Sequence, residues 1–397
     1  MPQNASPPLT LPEAPAAPST ARLVGVDLAR GLAVLGMYAV HIGPDPADGG
    51  GTGLVMELAH GRSSALFALL AGFSIILMTG RSAPKTGPEG RRAVARVLIR
   101  AAVLLVVGTL LTMTGTPVEV ILAYYGLFFV LVLPLRGLGP AALAAIALGT
   151  ALVPPQVLYV IRNASWPETV AGHDPFARAS GTDGLVGLLF TGSYPALAWV
   201  SFVIAGMALA RCDLASAAVR ARLAVTGAVL AVTGYGGSWL AFRLVPGLRG
   251  DLLTAAEGDR AVLSAWWSAR ADISYEDTPA RMWVAAPHSE TTFAILGNTG
   301  VAIAVLIACV ALLHDRARLT IQARPLTAVG SMSLTVYVFH VVGLHVLGHD
   351  ELPGSLPLLL GFSATAIAFA LVWSHFFARG PLEHVLNTAT RLAGRDR

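Results

Sequence analysis

The chain has 397 residues, of which 55% are hydrophobic and only 13% are charged. A soluble globular protein carries about 25% charged residues, so this composition excludes an ordinary soluble fold. The formal net charge of +4 does not indicate nucleic-acid binding, because the basic residues flank the apolar segments described below. No nucleic-acid partner is therefore expected.

The N-terminal residues 1–22 are rich in Pro, Ala and Ser and contain no apolar run, which predicts a disordered tail. About ten apolar segments follow, each long enough to cross the roughly 30 Å hydrocarbon core of a bilayer. Residues 23–378 are thus predicted to form an all-α, polytopic transmembrane domain, followed by a C-terminal tail at 379–397. The segments are Leu23–Ile42, Ser63–Thr79, Val94–Met113, Val118–Leu135, Leu138–Val160, Leu185–Ala210, Leu223–Val245, Thr292–Leu313, Leu326–Leu347 and Leu356–Phe377.

The charges between these segments are unevenly distributed. If the N-terminus is cytoplasmic, the inner loops carry arginines such as Arg92, Arg220 and Arg318, and the outer segments hold most of the acids. Basic residues are enriched on the cytoplasmic side of membrane proteins, so both termini are predicted to be cytoplasmic. Lysine occurs once and arginine is abundant, which we interpret as the coding bias of a high-GC bacterium. This predicts a multi-pass protein of a bacterial plasma membrane.

Two of the outer loops are long, at 161–184 and 246–291. The second contains Trp266, Trp267, Trp283 and His288 among acids and arginines. Such a loop is compatible with an interfacial aromatic belt on amphipathic segments. It is equally compatible with a lid or acceptor platform over a membrane cavity.

The first helix carries ionisable residues at both ends. Asp27 and Arg30 lie in its first turn and His41 closes its other end. The eleven-residue step from Arg30 to His41, at 100° per residue, is a rotation about 20° away from a whole number of turns. Arg30 and His41 therefore share one face of the helix, about 16 Å apart along its axis. An ionisable group in a spanning helix costs at least ~2.5 kcal/mol unless it faces a partner or cavity. Either Asp27 and Arg30 pair at the interface while His41 points outward, or these residues face a cavity.

Two further helices carry unusual polar residues. In the third apolar segment Arg92, Arg96 and Arg100 recur every four residues, and Arg100 lies too deep to be only a flanking charge. Its guanidinium either pairs with an acid or faces a polar cavity, where it suits phosphate. We expect Arg30, His41 and Arg100 to line one shared cavity.

The ninth segment has a polar face as well. Tyr337 and His340 are three residues apart and share one side of the helix, where they either form a buried hydrogen bond that locks packing or line a substrate passage. His345 follows near the outer end and is predicted to face the same opening as His41. No cluster in the sequence has metal-ligand spacing, so no metal is expected.

Several motifs resemble known membrane acyltransferases. Arg30, ten intervening residues and His41 match the R-x10-H pattern in the first helix of acyltransferase family three. The stretch VDLARGLAVLGMYAVH (26–41) resembles the start of the heparan-α-glucosaminide N-acetyltransferase family. Four further stretches resemble the bacterial YeiB-like membrane proteins: HGRSSALFALLAGFSI (60–75), VEVILAYYGLFFVLVLPLRG (118–137), LTAVGSMSLTVYVFH (326–340) and FARGPLEHVL (377–386).

These resemblances imply roles for individual residues. In acyltransferase family three the histidine that corresponds to His41 is essential for acyl transfer, and Arg30 belongs to the same motif. In the N-acetyltransferase family the active histidine lies between the first two helices, which makes His60 a rival catalytic residue. Acyltransferase family three also has an R-x2-R pattern near the third helix, whereas this chain has R-x3-R at Arg96 and Arg100, so their cofactor-binding role departs from the family pattern.

The implied function is acyl transfer across the membrane. Acyl-CoA, acetyl-CoA in particular, would bind from the cytoplasm with its phosphates against Arg96, Arg100 and Arg30. His41 or His60 would then act as general base on an extracytoplasmic acceptor, which would be a cell-envelope sugar, glycolipid or small molecule. A transporter or lipid flippase and a non-catalytic scaffold remain the alternatives, and homo-oligomerisation is left open.

Overall fold

A computed structural model describes residues 20–81, 83–116, 118–164, 166–180, 182, 184–268, 270, 278–314, 316–348 and 354–392. The regular structure within these ranges is entirely helical, so the predicted all-α membrane fold is confirmed. Residues 1–19 of the predicted N-terminal tail lie outside the described ranges. The first helix already begins at Thr20, inside the segment assigned to that tail.

The first half of the chain supplies most of the central helices. Proline or glycine lies at several of their ends, where a helical backbone is hard to continue. In chain order the helices are α1 Thr20–Ile42, α2 Gly50–Ala59, α3 Arg62–Thr79, α4 Gly87–Met113, α5 Leu122–Val132, α6 Pro140–Leu152, α7 Pro154–Arg162, α8 Trp166–Ala171, α9 Pro175–Ser180, α10 Gly184–Val186 and α11 Ala196–Arg211.

Side-chain caps fix where three helices of the second half begin. Ser216, Thr291 and Ser355 each accept a hydrogen bond from a backbone N–H three residues later, which satisfies a donor that the helix itself cannot pair. The helices are α12 Ala217–Ala231, α13 Gly237–Leu244, α14 Leu248–Ala255, α15 Thr292–Leu313, α16 Ala317–Gln322, α17 Arg324–Ser331, α18 Ser333–Val346, α19 Leu356–Phe376 and α20 Pro381–Leu392.

Within the described residues, seven helical segments are long and apolar enough to cross a membrane, and nine if each of two bent pairs counts as one span. Three of the seven join consecutive helices: α2 with α3, α6 with α7, and α12 with α13. The first bent pair joins Gly184–Thr191 to α11 at 65°, and the second joins α17 to α18 at 84°. The sequence predicted one continuous helix in each place, so both expectations need correction. Pro195 precedes α11 and Met332 separates α17 from α18. The count of about ten spans stays a prediction.

Helix α1 lies at the centre of the helical bundle and packs against α3, α15 and α17. Helix α3 in turn packs closely on α11, and glycines permit this approach. A Cβ added at Gly72 would collide with the backbone of Val203, and one at Gly206 would collide with Leu69. Small residues at such contacts are typical of helix pairs in lipid, where dispersion between backbones replaces the hydrophobic effect.

The second long loop folds over the end of this bundle with a small apolar core of its own, which includes Leu252, Val262 and Val284. Arg62 attaches the loop to the start of α3. Its guanidinium donates to the carbonyl oxygens of Glu57 (2.8 Å) and Trp267 (2.6 Å). Because these groups occupy the guanidinium, the structure gives Arg62 an anchoring role.

The segment predicted as a C-terminal tail also contains ordered structure. Helix α20 packs against α4 and α18. Glu383 of α20 accepts hydrogen bonds from the backbone N–H groups of Leu334 (2.8 Å) and Thr335 (3.2 Å) and from the Thr335 hydroxyl (2.6 Å). It therefore caps the N-terminus of α18 at the break that follows α17.

The orientation in the membrane gives a direct test of the predicted topology. Reporter fusions placed after Arg220 and after Arg318 should report the cytoplasm, and fusions after Arg178 and after Arg270 should report the outside, because the loops with the excess of arginines face the cytoplasm. Paired alkaline phosphatase and green fluorescent protein fusions at each site would measure this. A cytoplasmic signal after Arg270 would contradict the predicted number of spans.

Candidate functional site

A cavity of about 290 Å³ lies beside Arg30, near the middle of α1, and is lined by two arginines. We call it the arginine cavity. Helices α1, α3, α4, α5, α18 and α20 all contribute to its wall. Its lining includes Arg30, Phe67, Ser74, Arg100, Tyr125 and Glu383.

Arg30 is held in a defined position on this wall. Its guanidinium donates to the Asp27 carboxylate at 2.8 Å and to Ser74 Oγ at 2.8 Å. The two alternatives drawn from the sequence are therefore both realised, since Arg30 pairs with Asp27 and also faces a cavity. These two hydrogen bonds hold one edge of the guanidinium and so orient the cation towards the cavity.

Arg100 faces the same cavity from α4. It donates to the thioether sulfur of Met78 at 3.3 Å, and thioether sulfur is a weak acceptor. The charges that act on it are those of Arg30 and Glu383. Two guanidinium groups beside one cavity form a site with affinity for an anion such as phosphate.

The other predicted cofactor-binding arginine lies elsewhere. Arg96 is exposed on α4, one turn from Arg100, and is not part of the cavity wall. Its predicted role stays untested, and the geometry favours Arg30 and Arg100. Glu383 was not predicted as a site residue, although it lies in the FARGPLEHVL stretch whose resemblance was noted.

A second cavity of about 640 Å³ lies at the C-terminal end of α1 and is lined by three histidines. We call it the histidine cavity. No residue lines both cavities, so the expectation that His41 shares a cavity with Arg30 and Arg100 is wrong. Its titratable and charged lining residues are His41, His60, Glu119, Arg162, Tyr194, His288 and Glu290.

His41 and His60 approach the histidine cavity from separate elements. His41 ends α1, and its Nδ1 lies 2.9 Å from Nε2 of His340. His60 lies at the turn from α2 to α3, where Gly61 adopts a φ of +67° that glycine tolerates better than other residues. The imidazole of His60 meets that of His288 nearly at right angles, with ring centres 6.0 Å apart. The sequence-predicted histidines thus converge on one cavity.

His288 and Glu290 were missed as site residues. Both have left-handed backbone, with φ of 56° and 51°, which costs a non-glycine residue about 1–3 kcal/mol and is concentrated at functional sites. The Glu290 carboxylate lies 3.7 Å from the Arg162 guanidinium. The sequence signal was only the presence of His288 in a long, Trp-rich outer loop. Its contact with His60 depends on how that loop folds back.

Burial keeps the imidazole of His288 neutral. Desolvation, followed by repulsion from His60, lowers the pKa of His288 from 6.5 to about 4. The ring also packs against Tyr194 and Trp199, with centres 5.4 and 5.9 Å away. A neutral imidazole has one nitrogen able to accept a proton. Because a base with so low a pKa accepts a proton poorly at neutral pH, His288 is a weaker candidate base than His41 or His60.

This lowered pKa predicts a pH-dependent stability of the folded loop. The unfolded chain takes up a proton on His288 near pH 6.5 and the folded chain only near pH 4, so the stabilisation is complete above about pH 6.5 and is lost as pH falls towards 4. The loss should be roughly 2–4 kcal/mol. Thermal unfolding from pH 7.5 to 4.5 should therefore show a smaller decrease in midpoint for His288→Gln than for wild type. Equal decreases would contradict this origin of the pH effect.

The three residues of the predicted substrate passage occupy different environments. The Tyr337 hydroxyl accepts from the backbone N–H of Ile121 at 3.3 Å, and its ring meets the His340 ring edge-on at 5.0 Å. His340 is buried and bonds to His41. His345 is exposed and lines neither cavity. Their role in a substrate passage stays a prediction.

A layer of aromatic rings lies between the two cavities. Phe67 stacks on Tyr125, which lines the arginine cavity, at 5.6 Å and on Tyr337 at 6.5 Å. Tyr337 then contacts His340, the partner of His41 in the histidine cavity. These contacts form a continuous chain of rings from the arginine cavity to His41.

Comparison with protein families assigns the chain to a family. Residues 22–241, more than half of its length, match the family described as heparan-alpha-glucosaminide N-acetyltransferase, catalytic. The chain belongs to this family. Residues 260–393 match a second family, a protein of unknown function (DUF418). No curated protein and no solved structure matches the chain.

This membership confirms the resemblance seen in the first helix. Arg30, His41, His60 and Arg100 lie in the N-acetyltransferase segment, whereas His288 and His340 lie in the second matched segment. Both cavities are therefore built jointly by the two segments. Within the described residues no group of three or more His, Cys, Asp or Glu side chains has a geometry suited to a metal ion.

Proposed function

We propose that the protein transfers an acyl group, acetyl in particular, from cytoplasmic acyl-CoA to an extracytoplasmic acceptor. The observation that carries the proposal is the pair of cavities along α1, one with two arginines beside the middle of the helix and one with three histidines at its C-terminal end. The N-acetyltransferase family of residues 22–241 supports acyl transfer as the chemistry. On this proposal the protein works in a bacterial plasma membrane.

Acyl-CoA would bind with its phosphates at the arginine cavity. Among the described residues, Arg100 faces the cavity with a thioether as its hydrogen-bond acceptor, and Arg30 is pre-oriented by Asp27 and Ser74. Charge-assisted hydrogen bonds from guanidinium to phosphate are among the strongest that a protein makes. The pantetheine arm would then extend along α1, whose Arg30 and His41 are about 16 Å apart by helix rise.

The aromatic layer must open for this arm to pass. Phe67 and Tyr337 lie between the cavities, so productive binding requires their side chains to change rotamer. Such a gate would keep the two sides of the membrane separate when no acyl-CoA is bound. A closed gate also explains why, among the described residues, Arg30 and His41 line different cavities.

Transfer itself would take place in the histidine cavity. The acceptor N–H or O–H loses its proton to His41 or His60 as its nitrogen or oxygen attacks the thioester carbonyl carbon. The carbon–sulfur bond then breaks, and the proton passes to the departing thiolate to give free CoA. His41 and His60 both line this cavity, so the structure leaves either able to act.

The lining of the histidine cavity suits a polar acceptor. Glu119, Arg162 and Glu290 offer charged hydrogen-bond partners, and Tyr194 adds an aromatic ring with a hydroxyl. Side chains of this mixture bind hydroxyl- and amine-rich molecules. A cell-envelope sugar, a glycolipid or a small molecule is the proposed acceptor class.

Transport of a substrate or lipid is the alternative, and the aromatic layer between two cavities is the observation that favours it. A transporter also needs a site that is closed from one side. The ionisable groups lie in two separate cavities along α1, whereas transporter sites usually form one site near the midplane. This difference favours acyl transfer.

Two measurements separate these functions. Purified protein in detergent should bind acetyl-CoA and release free CoA when an amino sugar or polyol acceptor is added, as read by a thiol-reactive dye. Mass spectrometry of envelope glycans and lipids should show loss of an acylated species in a deletion strain. Absence of acyl-CoA binding across a series of acyl chain lengths would overturn the enzyme proposal and leave transport.

A further inference from the structure

The buried histidine of α18 forms an unusual contact with the end of α1. Nδ1 of His41 and Nε2 of His340 are 2.9 Å apart, whereas the ring centres are 5.1 Å apart and the ring planes differ by only 11°. The nitrogens are much closer than the centres, so the rings meet edge to edge in nearly one plane. This is the geometry of an N–H···N hydrogen bond.

His340 must be neutral in this position. Only 1% of its surface is exposed, and the ring of Tyr38 lies 4.5 Å from it and that of Tyr337 5.0 Å. His41 is the titratable group that acts on it electrostatically among the described residues. An imidazolium here would be a buried charge without a counterion, which is strongly unfavourable. A neutral ring has one N–H and one bare nitrogen.

The surroundings decide which nitrogen of His340 carries the hydrogen. Its Nδ1 is buried without a well-formed hydrogen bond among the described residues, and the backbone of Tyr337 acts on the ring as a hydrogen-bond acceptor. An Nδ1 without a hydrogen would point its lone pair at that carbonyl oxygen and be repelled by it, whereas an Nδ1–H is attracted to it. The hydrogen of His340 therefore belongs on Nδ1, and Nε2 is the acceptor.

It follows that His41 is the donor in the pair. With its hydrogen on Nδ1, the basic nitrogen of neutral His41 is Nε2, on a residue that lines the histidine cavity. We propose that His340 is a positioning residue, which fixes His41 in the Nδ1–H tautomer and so makes Nε2 its proton-accepting atom. The role of His41 as base rests on the proposed acyl transfer, whereas the tautomer does not.

The pair also supports His41 after proton transfer. When Nε2 takes the proton of the acceptor, His41 becomes an imidazolium that still donates from Nδ1 to His340. A hydrogen bond from a charged donor is about twice as strong as a neutral one. The arrangement resembles the general scheme of a base oriented by a third group, with a neutral imidazole in place of a carboxylate.

The experiment removes the acceptor nitrogen and reads the tautomer of His41 directly. Full-length protein labelled with ¹⁵N-histidine in detergent would be compared with His340→Leu, which fills the site without an acceptor, and with His340→Gln, whose amide oxygen replaces Nε2. Tyr38→Phe is the matched control, since it removes the hydroxyl bond to Val336 beside the same ring but leaves His340 in place. The His41→Asn spectrum would assign the signals of His41.

In wild type, in Tyr38→Phe and in His340→Gln, the His41 signals should show a protonated Nδ1 and a bare Nε2, and His340→Leu should lose this preference. Acyl transfer should fall about 10- to 100-fold in His340→Leu with acetyl-CoA affinity unchanged, a size typical of residues that orient a working histidine, and His340→Gln should restore most of it. A bare Nδ1 on His41 in wild type would overturn the proposal, as would the same His41 tautomer in a folded His340→Leu. If no variant, including wild type, transfers acyl groups while the tautomer shifts as expected, the positioning contact stands and the proposed function fails.

Discussion

His41→Ala should lower acyl transfer by about 10²–10⁴-fold, the usual contribution of a positioned general base, while acetyl-CoA affinity stays at the wild-type value. The physical reason is the separation of the two cavities. His41 lines the histidine cavity and has no part in the wall of the arginine cavity, so its loss removes proton transfer without touching the phosphate site. Free CoA release under saturating acetyl-CoA would measure the first quantity and isothermal titration the second.

The same assay separates His41 from its rivals in the cavity. His60→Ala and His288→Ala remove the two other imidazoles that line it. Full activity in His41→Ala together with loss in His60→Ala would transfer the base role to His60. Truncation of His41 also leaves Nε2 of buried His340 without its partner, which costs about 1–3 kcal/mol of stability. Thermal unfolding of each variant must therefore accompany the kinetics, and equal loss of acetyl-CoA binding in all of them would indicate misfolding.

Arg100→Ala should weaken acetyl-CoA binding by about 10- to 150-fold. This corresponds to the loss of about 1.5–3 kcal/mol for one charge-assisted hydrogen bond. Arg100 has Met78 sulfur as its acceptor in the absence of ligand, so little internal bonding has to be broken for it to meet a phosphate. Arg100→Lys should recover part of the affinity, because it keeps the charge but not the two-pronged guanidinium geometry.

Arg96→Ala is the matched control for this experiment. It removes the same side chain one turn away on α4, at an exposed position outside the arginine cavity. Titration of acetyl-CoA should give nearly wild-type affinity for Arg96→Ala at moderate salt. Equal losses in the two variants would show that general surface charge, rather than the arginine cavity, attracts the donor. No loss in Arg100→Ala would remove that residue from the donor site.

Local properties of the chain were sufficient for the all-helical membrane fold class. Apolar length predicts a spanning helix because the hydrocarbon core is about 30 Å thick, and the structure places helices at every predicted apolar segment. The helical period placed Arg30 and His41 on one face of α1, and each residue lines a cavity, Arg30 near the middle of the helix and His41 at its C-terminal end. The family resemblance was likewise readable from short motifs in α1.

The sequence by itself thus determined the fold class and the family, and it singled out Arg30 and His41 of α1 as candidate site residues. Only the tertiary structure decided which residues meet there. Predicted helix 326–347 breaks into α17 and α18, which leaves backbone N–H groups that must be satisfied inside a membrane, and Glu383 of α20 supplies the acceptors. His340 reaches His41, and His288 reaches His60, through neighbours far away in the chain. Periodicity reports the face of one helix but carries no information on which helix packs against it, so these partners could be found only after the helices were assembled.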